Sequence, residues 1–288
     1  CHRLNSCFAT SGLSQLSFKV ADKALSFHDS ESRATLRHLP NCRLLATILL
    51  SPWSYPHPPL IDLQRMSGRL IAIGDIHGCL AALDSILTAI QPSAEDTLVT
   101  LGDYVDRGPD SKGVIDRLIG LQDQCQLIPL IGNHEEMMLD VVRDGQPPFR
   151  WLQYGGVETL DSYRFSGDMD VISPEHRQFF ASLSDYYETD DFFFVHANYD
   201  PMLPLAQQPR HLLRWQKLSD MTPPPHRNGK RAVMGHTHDR DGEIFDIGHL
   251  ICLDTYCYGG GWLTAMELNS GTMWQSDIAG ELRRGELR

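Results

Sequence analysis

Thr97-Leu98-Val99-Thr100-Leu101-Gly102-Asp103-Tyr104-Val105-Asp106-Arg107-Gly108 decides the fold. Its first five residues are β-branched or aliphatic and read as a buried strand. Gly102 then permits a tight turn, and Asp103, Asp106 and Arg107 follow at once. The same grammar stands on both sides. Leu70-Ile71-Ala72-Ile73 runs into Gly74-Asp75-Ile76-His77-Gly78, and Leu127-Ile128-Pro129-Leu130-Ile131 runs into Gly132-Asn133-His134-Glu135. Helical spacing of apolar residues fills 80–90, which stops before Pro92, then 114–121 and 137–142. Strand, polar loop and helix thus repeat three times. In α/β folds ligands collect at the C-terminal ends of such strands.

Further along, 145–185 reads as a helical insertion rich in aromatics, with Phe149, Trp151, Tyr154, Tyr163, Phe179 and Phe180. From Asp191 the texture turns to strands. Phe192-Phe193-Phe194-Val195 precedes His196, and Ala232-Val233-Met234 precedes Gly235-His236. Short runs at 243–247, 250–253, 263–268 and 272–275 read as further strands between glycine turns.

Five clusters then carry the chemistry: Gly74 to Gly78, Gly102 to Gly108, Gly132 to Glu135, Val195-His196-Ala197-Asn198, and Gly235-His236-Thr237-His238. They offer carboxylates, a carboxamide and imidazoles, with no Cys among them. A mixed oxygen and nitrogen set suits Mn, Fe or Zn better than Ca. The donors are too many for one tetrahedral ion, and a two-metal centre sharing one Asp accounts for the surplus. Each residue alone has a plainer reading. Asp75 could cap a helix, Asp106 and Arg107 could be a surface ion pair, and His196 could be a core histidine. Five clusters in order, each behind a strand, make that series of coincidences untenable.

Composition sets the outer bounds. The 288 residues are 42% hydrophobic and 22% charged, ordinary values for a globular chain. There is no apolar run of the roughly 18 residues that a membrane helix needs. A net charge of -12 argues against a nucleic-acid polymer as partner, because phosphate contacts need Lys and Arg. Charge is unevenly spread: residues 1–65 carry seven basic and four acidic side chains, the remainder 18 and 33. That first segment is rich in Ser, His and Pro. Residues 1–66 are therefore expected to be a disordered or non-native extension ahead of Met66, with a targeting extension as the alternative. The folded domain is expected over 67–288. Cys79, Cys125, Cys252 and Cys257 form no CxxC pair, so reduced thiols and a cytoplasmic location are expected.

The ordered set GDxHG, GDxVDRG, GNHE, an isolated His and GHxH resembles the calcineurin-like metallophosphoesterases over about 70–276. The Gly102 to Gly108 and Gly132 to Glu136 strings look most like the phosphoprotein-phosphatase branch. That branch includes serine/threonine protein phosphatases and symmetrical diadenosine tetraphosphate hydrolases. The resemblance implies an α+β layered fold, two mixed sheets in a sandwich flanked by helices, with a dinuclear site at strand-end loops. It implies that Asp75 and His77 bind one cation, that Asp103 bridges, and that Asn133, His196 and His236 bind the second. Manganese is the first expectation for both, with Fe or Zn as alternatives. His238 enters the set because in many such proteins the second His of GHxH binds the first cation, although in the protein-phosphatase branch it often does not.

The implied reaction is attack on a phosphate ester by hydroxide bridging the cations. His134 would protonate the leaving oxygen and Asp106 would orient His134. Arg107 would grip phosphate oxygens with its forked donors, beside Asn133. Arg214, in His211-Leu212-Leu213-Arg214-Trp215, is the candidate second phosphate-binding arginine, with a structural salt bridge as the alternative. Tyr258 and Gly259-Gly260-Gly261 read as a turn, and His226 and His249 as surface residues. The expected substrate is a phosphoserine or phosphothreonine protein or a small phosphoester. Symmetrical diadenosine tetraphosphate hydrolysis is the runner-up, and a catalytically silent metal-binding scaffold the third reading.

Overall fold

Two mixed sheets face each other across an apolar layer in the structure, a computed structural model that describes residues 68–168 and 170–287. The extension expected over 1–66 lies outside the described residues. The first half runs β1 (Leu70–Ile73), α1 (Leu80–Ile90), β2 (Thr97–Thr100), α2 (Ser111–Leu121), β3 (Gln126–Pro129) and α3 (Asn133–Val142). A helical stretch follows: α4 (Phe149–Trp151), a π-helical segment (Leu152–Gly156), α5 (Val157–Ser162) and α6 (Pro174–Ala181). Next come β4 (Tyr186–Glu188), β5 (Phe192–Val195), α7 (Arg210–Trp215) and β6 (Arg231–Met234). The chain closes with β7 (Phe245–Asp246), β8 (Leu250–Cys252), β9 (Asp254–Thr255), β10 (Trp262–Glu267), β11 (Thr272–Ser276) and β12 (Leu282–Glu286).

The first sheet has the order β12-β11-β10-β1-β2-β3, with β9 also on β10; the second is β4-β5-β6-β8-β7. Parallel pairs sit at the heart of both: β1 with β2, β2 with β3, β5 with β6, and β6 with β8. These central strands read as continuous apolar runs because both faces are covered. Ala72, Val99, Phe194, Val233 and Ile251 meet between the sheets. Their neighbours Ile71, Ile73 and Leu98 turn outward to pack with Leu83, Ile86, Val114 and Leu118 of α1 and α2. Phe193, Val195, Ala232 and Met234 do the same on the far side with Leu205, Leu213 and Leu218. Each large aliphatic or aromatic side chain buried this way contributes about 1.5–3 kcal/mol.

Boundaries differ from the sequence reading where polar chemistry sets them. Helix α3 starts at Asn133 rather than at 137. Glu135 makes this possible by accepting the N–H of Gly132 at 2.9 Å, which closes the first turn. Asn133 and His134 therefore stand on a helix rather than on a loop. Strand β7 is two residues long where 243–247 was expected, and both residues are exposed. Strand β12 has no apolar pattern at all, since its five residues are exposed along the sheet edge.

One polar clamp pins β1 to its surroundings. Buried Asp96 accepts the backbone N–H of Arg69 at 3.0 Å, its Nε at 3.0 Å and its Nη2 at 2.6 Å, and the N–H of Ser93 at 2.8 Å. Burial alone would raise this carboxyl, yet the Arg69 guanidinium and these N–H groups hold it well below the usual carboxylate range. Asp96→Asn is expected to cost about 2–3 kcal/mol, because several charge-assisted bonds weaken at once. A depressed carboxyl stabilises the fold above its unfolded value, near pH 4, and loses that contribution as pH falls through the folded value. The gap in Tm between wild type and variant should thus be full at pH 7 and shrink below about pH 4. Thermal melts at pH 7 and pH 3 check this; an equal gap at both would refute the assignment.

Candidate active site

The five clusters meet at one edge of the sandwich. Asp75 and His77 follow β1, Asp103 to Arg107 follow β2, and Asn133 and His134 open α3 just beyond β3. His196 follows β5 and His236 follows β6. Every one leaves the C-terminal end of a parallel strand. The turns are strained: five of the eight non-glycine residues with positive φ among those described are His77, Asp103, Asp106, Arg107 and His236. Such conformations persist only where the surroundings over-determine them.

Asp103 stands at the centre. One group of donors comprises His77, Asp103 and His134, another Asp103, His196 and His236, each with its ligand atoms within 4.8 Å of one another. Only Asp103 belongs to both. Its Oδ2 lies 3.5 Å from His77 Nε2, and its Oδ1 lies 3.5 Å from His196 Nε2. Its Oδ1 also accepts the backbone N–H of His134 at 3.1 Å. Burial alone would raise this carboxyl, but the proton-bearing ring of His134 beside it helps hold it well below the carboxylate range.

Three imidazoles are aimed by the main chain. His77 Nδ1 lies 2.9 Å from Val105 O, His196 Nδ1 2.7 Å from Leu101 O, and His236 Nε2 3.0 Å from Trp215 O. A carbonyl can only accept, so the ring nitrogen beside it must carry the proton. The other nitrogen of each ring then turns a lone pair toward the centre. Burial lowers the basicity of all three and, together with neighbouring His196, takes His236 down to about 3. Neutral imidazoles with inward lone pairs are ready ligands.

The donor set fits divalent cations. Asn133 Oδ1 faces His196 Nε2 at 3.0 Å, two acceptors converging with no donor between them. Asp75 Oδ1 is buried without a hydrogen-bond partner, while its Oδ2 accepts the N–H of His236 at 3.0 Å. An isolated buried acceptor of this kind is costly unless a cation satisfies it. The plainer reading of Asp75 fails, since the cap of α1 is Cys79.

His134 has a different environment. Its Nδ1 lies 2.7 Å from Asp106 Oδ2, and its Nε2 lies 3.9 Å from Asp103 Oδ2. Burial opposes charge on this ring, but Asp103 and Asp106 outweigh it and raise the pKa. Asp106 is wholly buried, so it is no surface ion pair. Arg107 is half-buried, with Nη1 3.1 Å from His77 Nε2 and its guanidinium 4.5 Å from the ring centre of Tyr258. Tyr258 also packs edge-on against His77 at 4.9 Å. It is thus part of a site wall rather than of a simple turn. With Arg107, Leu152, Tyr154 and Val157 it lines a groove of about 580 Å³.

Several expectations need correction. Arg214 is tied to Asp185 through Nε at 2.9 Å and to Glu136 through Nη1 at 3.2 Å. Its fork is spent on a salt bridge, which displaces the phosphate-binding reading. His238 stacks on Tyr256 at 4.7 Å. Its neighbour Thr237 is bonded to Leu218 N, which helps turn this loop past the centre. His226 is buried, not a surface residue; its Nε2 lies 2.8 Å from Leu203 O and its ring packs on Phe193 and Tyr199.

Two residues were missed. Glu135 accepts from Asp103 N at 2.9 Å and Tyr104 N at 2.7 Å, and so locks the central loop onto α3. Asp254 is buried beside Asp75, and burial pushes it up to about 6; burial, then Asp254 and Asp103, push Asp75 well up. Asp254 follows the apolar run 250–253, the same strand-then-acid grammar as Asp75 and Asp103 but without their preceding glycine.

Glycine is required where backbone meets ligand. A Cβ on Gly235 would lie 2.0 Å from Asp75 Oδ1. Gly235→Ala is expected to displace that carboxylate and weaken cation binding by about 10–100-fold, as loss of ligand orientation typically does. Manganese titration followed by calorimetry reads the change, and unaltered affinity would show that Asp75 is not a ligand.

Comparison with known proteins places the chain in a family. The family model for calcineurin-like phosphoesterases matches residues 68–276. A symmetrical bis(5'-nucleosyl)-tetraphosphatase from Acidovorax sp. (strain JS42) is 33% identical over 133 residues, 46% of this chain and 44% of that protein. Serine/threonine-protein phosphatase 1 of Salmonella typhimurium (strain LT2) is 39% identical over 85 residues, 29% of this chain and 37% of that protein. The matches span less than half the length of these curated relatives. The crystal structure of a cold-active protein-tyrosine phosphatase from a Shewanella species superposes with a TM-score of 0.52. It is 17% identical, covering 76% of this chain and 80% of that one, a likeness of fold.

Proposed function

The chain belongs to the calcineurin-like phosphoesterase family, and from that footing we propose that it hydrolyses phosphate esters with two divalent cations. Asp75, His77 and Asp103 would hold one; Asp103, Asn133, His196 and His236 would hold the other. The observation that carries the reading is Asp103, the one carboxylate common to both donor groups. Such cations, when bound, neutralise a phosphate dianion and lower the proton affinity of water held between them.

The chain's own residues do the rest. His77 Nε2 cannot serve Arg107 and a cation together, so loading the site frees Arg107 Nη1 for a phosphate oxygen. Tyr258 keeps that guanidinium in place by its ring face. His134 keeps its proton between two carboxylates and presents Nε2 to the centre, where a leaving oxygen can take that proton.

A buried acid–carboxylate pair is most useful when the leaving group is a poor one. That favours the alkoxide of phosphoserine or phosphothreonine in a protein. Hydrolysis of a dinucleoside tetraphosphate is the second reading, favoured by the longer match to the Acidovorax protein, whose name gives that activity. The deciding experiment measures phosphate release from a phosphothreonine peptide beside ADP release from diadenosine tetraphosphate, with the full chain and added Mn. Faster peptide turnover supports the first reading, and faster nucleotide turnover replaces it with the second. Turnover of neither would sink the hydrolase reading and leave a metal-binding scaffold.

A further inference from the structure

The loop that carries Asp106 and Arg107 is the most contorted in the site. Both residues have positive φ, +72° and +71°, in succession. Asp106 nonetheless presents one oxygen to His134 at 2.7 Å. Something must hold it there.

The holding groups come from the helical stretch 149–162, joined by Ser111 at the start of α2. Asp106 Oδ1 accepts Trp151 Nε1–H at 2.9 Å and the Thr159 hydroxyl at 2.7 Å. The Asp106 backbone N–H lies 2.8 Å from the same Thr159 oxygen and 3.0 Å from Ser111 Oγ. The next residue is held too: Arg107 N donates to Gly155 O at 3.2 Å. Gly155 sits in the π-helical segment with φ +105°, and a Cβ there would meet Arg107 N at 2.6 Å. Trp151 and Thr159 are themselves buried. None of these groups belongs to the donor groups around Asp103.

We propose that Trp151 and Thr159 are positioning residues of the acid: they fix the carboxylate of Asp106 from behind so that its other oxygen aligns His134 for proton delivery. A carboxylate with one oxygen doubly bonded cannot rotate away from its histidine. Removing either donor frees that rotation and misaligns His134, while the cation ligands keep their places. Misplacement of a reacting group by a fraction of an ångström suffices for a large loss.

The inference rests on the proposed function, in which His134 is the general acid. Its signature is dependence on the leaving group. A good leaving group, such as p-nitrophenolate, departs with little help from an acid; an alkoxide does not. Trp151→Phe keeps the ring and removes the N–H. Thr159→Val keeps the shape and removes the hydroxyl, and Thr159→Ser restores it.

The test compares kcat for p-nitrophenyl phosphate with kcat for a phosphothreonine peptide, in wild type, these three variants and His134→Asn, all loaded with Mn. Trp151→Phe and Thr159→Val should lose about 10-fold or more on the peptide and less than about 3-fold on p-nitrophenyl phosphate, a fraction of what an acid supplies. Thr159→Ser should recover most of the peptide activity. Equal losses on both esters in Trp151→Phe and Thr159→Val, or none, would overturn the inference. His134→Asn separates the two levels. If it discriminates between the esters and the positioning variants do not, the inference fails and the proposed function stands. If His134→Asn also treats both esters alike, the acid assignment fails and the inference with it. Should Trp151→Phe not fold, the Thr159 pair decides alone.

Discussion

Asp103→Asn should lose cations and turnover together, by about 10³-fold or more in kcat/KM, equivalent to about 4 kcal/mol. The change is nearly isosteric, so packing is kept. What disappears is the charge around which two donor groups are arranged, since Asp103 alone is common to both. The new amide would also place an N–H₂ near ring nitrogens and cations that require an acceptor. The main-chain bonds of this residue are untouched: its N–H still donates to Glu135, and its carbonyl still accepts from His77 at 2.7 Å. Elemental analysis after gel filtration, beside activity, checks the claim. Normal metal content with normal turnover would refute the bridging assignment.

His134→Asn should separate chemistry from binding. This ring lies 3.9 Å from Asp103, and its other nitrogen is bonded to Asp106. Asn can keep a hydrogen bond to Asp106 but cannot deliver a proton. On an alkyl phosphate, kcat should fall by about 10²–10⁴-fold, the usual worth of a positioned general acid. Metal content should stay near that of wild type, because Asp75, Asp103, Asn133, His196 and His236 keep their places. Loss of both cations in this variant would mean that His134 is a ligand and not the acid. The two variants make opposite predictions for metal and the same prediction for peptide turnover, so together they sort the roles.

The parts of this molecule that the sequence shows best are those governed by short-range rules. Strands β1, β2, β5 and β6 are short, largely apolar runs covered on both faces, and four-residue runs of this kind bounded by polar loops suit a central strand, as the burial of Ile71, Ala72 and Ile73 together bears out. Four of the five clusters are legible because a glycine stands beside the ligand where backbone approaches a buried donor; the fifth, Val195 to Asn198, is legible from the apolar run that precedes His196. Where long-range partners decide, the reading fails. Arg214 looks like a phosphate ligand until Asp185 and Glu136, 29 and 78 residues away, claim its donors. Trp151 and Thr159 meet Asp106 across 45 and 53 residues, and nothing local in their neighbourhood announces a polar partner. Strand β12 pairs with β11 through its backbone and through polar side chains, Arg283 on Gln275 and Arg284 over Trp274, so no apolar alternation marks it.

The three imidazoles anchored on Val105 O, Leu101 O and Trp215 O have a consequence for mutational tolerance. An anchor made from a side chain can be deleted by a single codon change. A main-chain carbonyl cannot, because every amino acid supplies one. The tautomers of His77, His196 and His236 are thus written into chain topology and survive substitution at the anchoring positions themselves. Random mutagenesis should accordingly find its inactivating hits at the histidines and at Gly78 and Gly235 beside two of them, with few at 101, 105 or 215 that act through the anchor. A library that varies the 149–162 stretch could alter acid and phosphate handling while leaving these three rings aimed as before. The centre and its helical cover are separately mutable parts, which is a practical opening for redirecting the choice of ester.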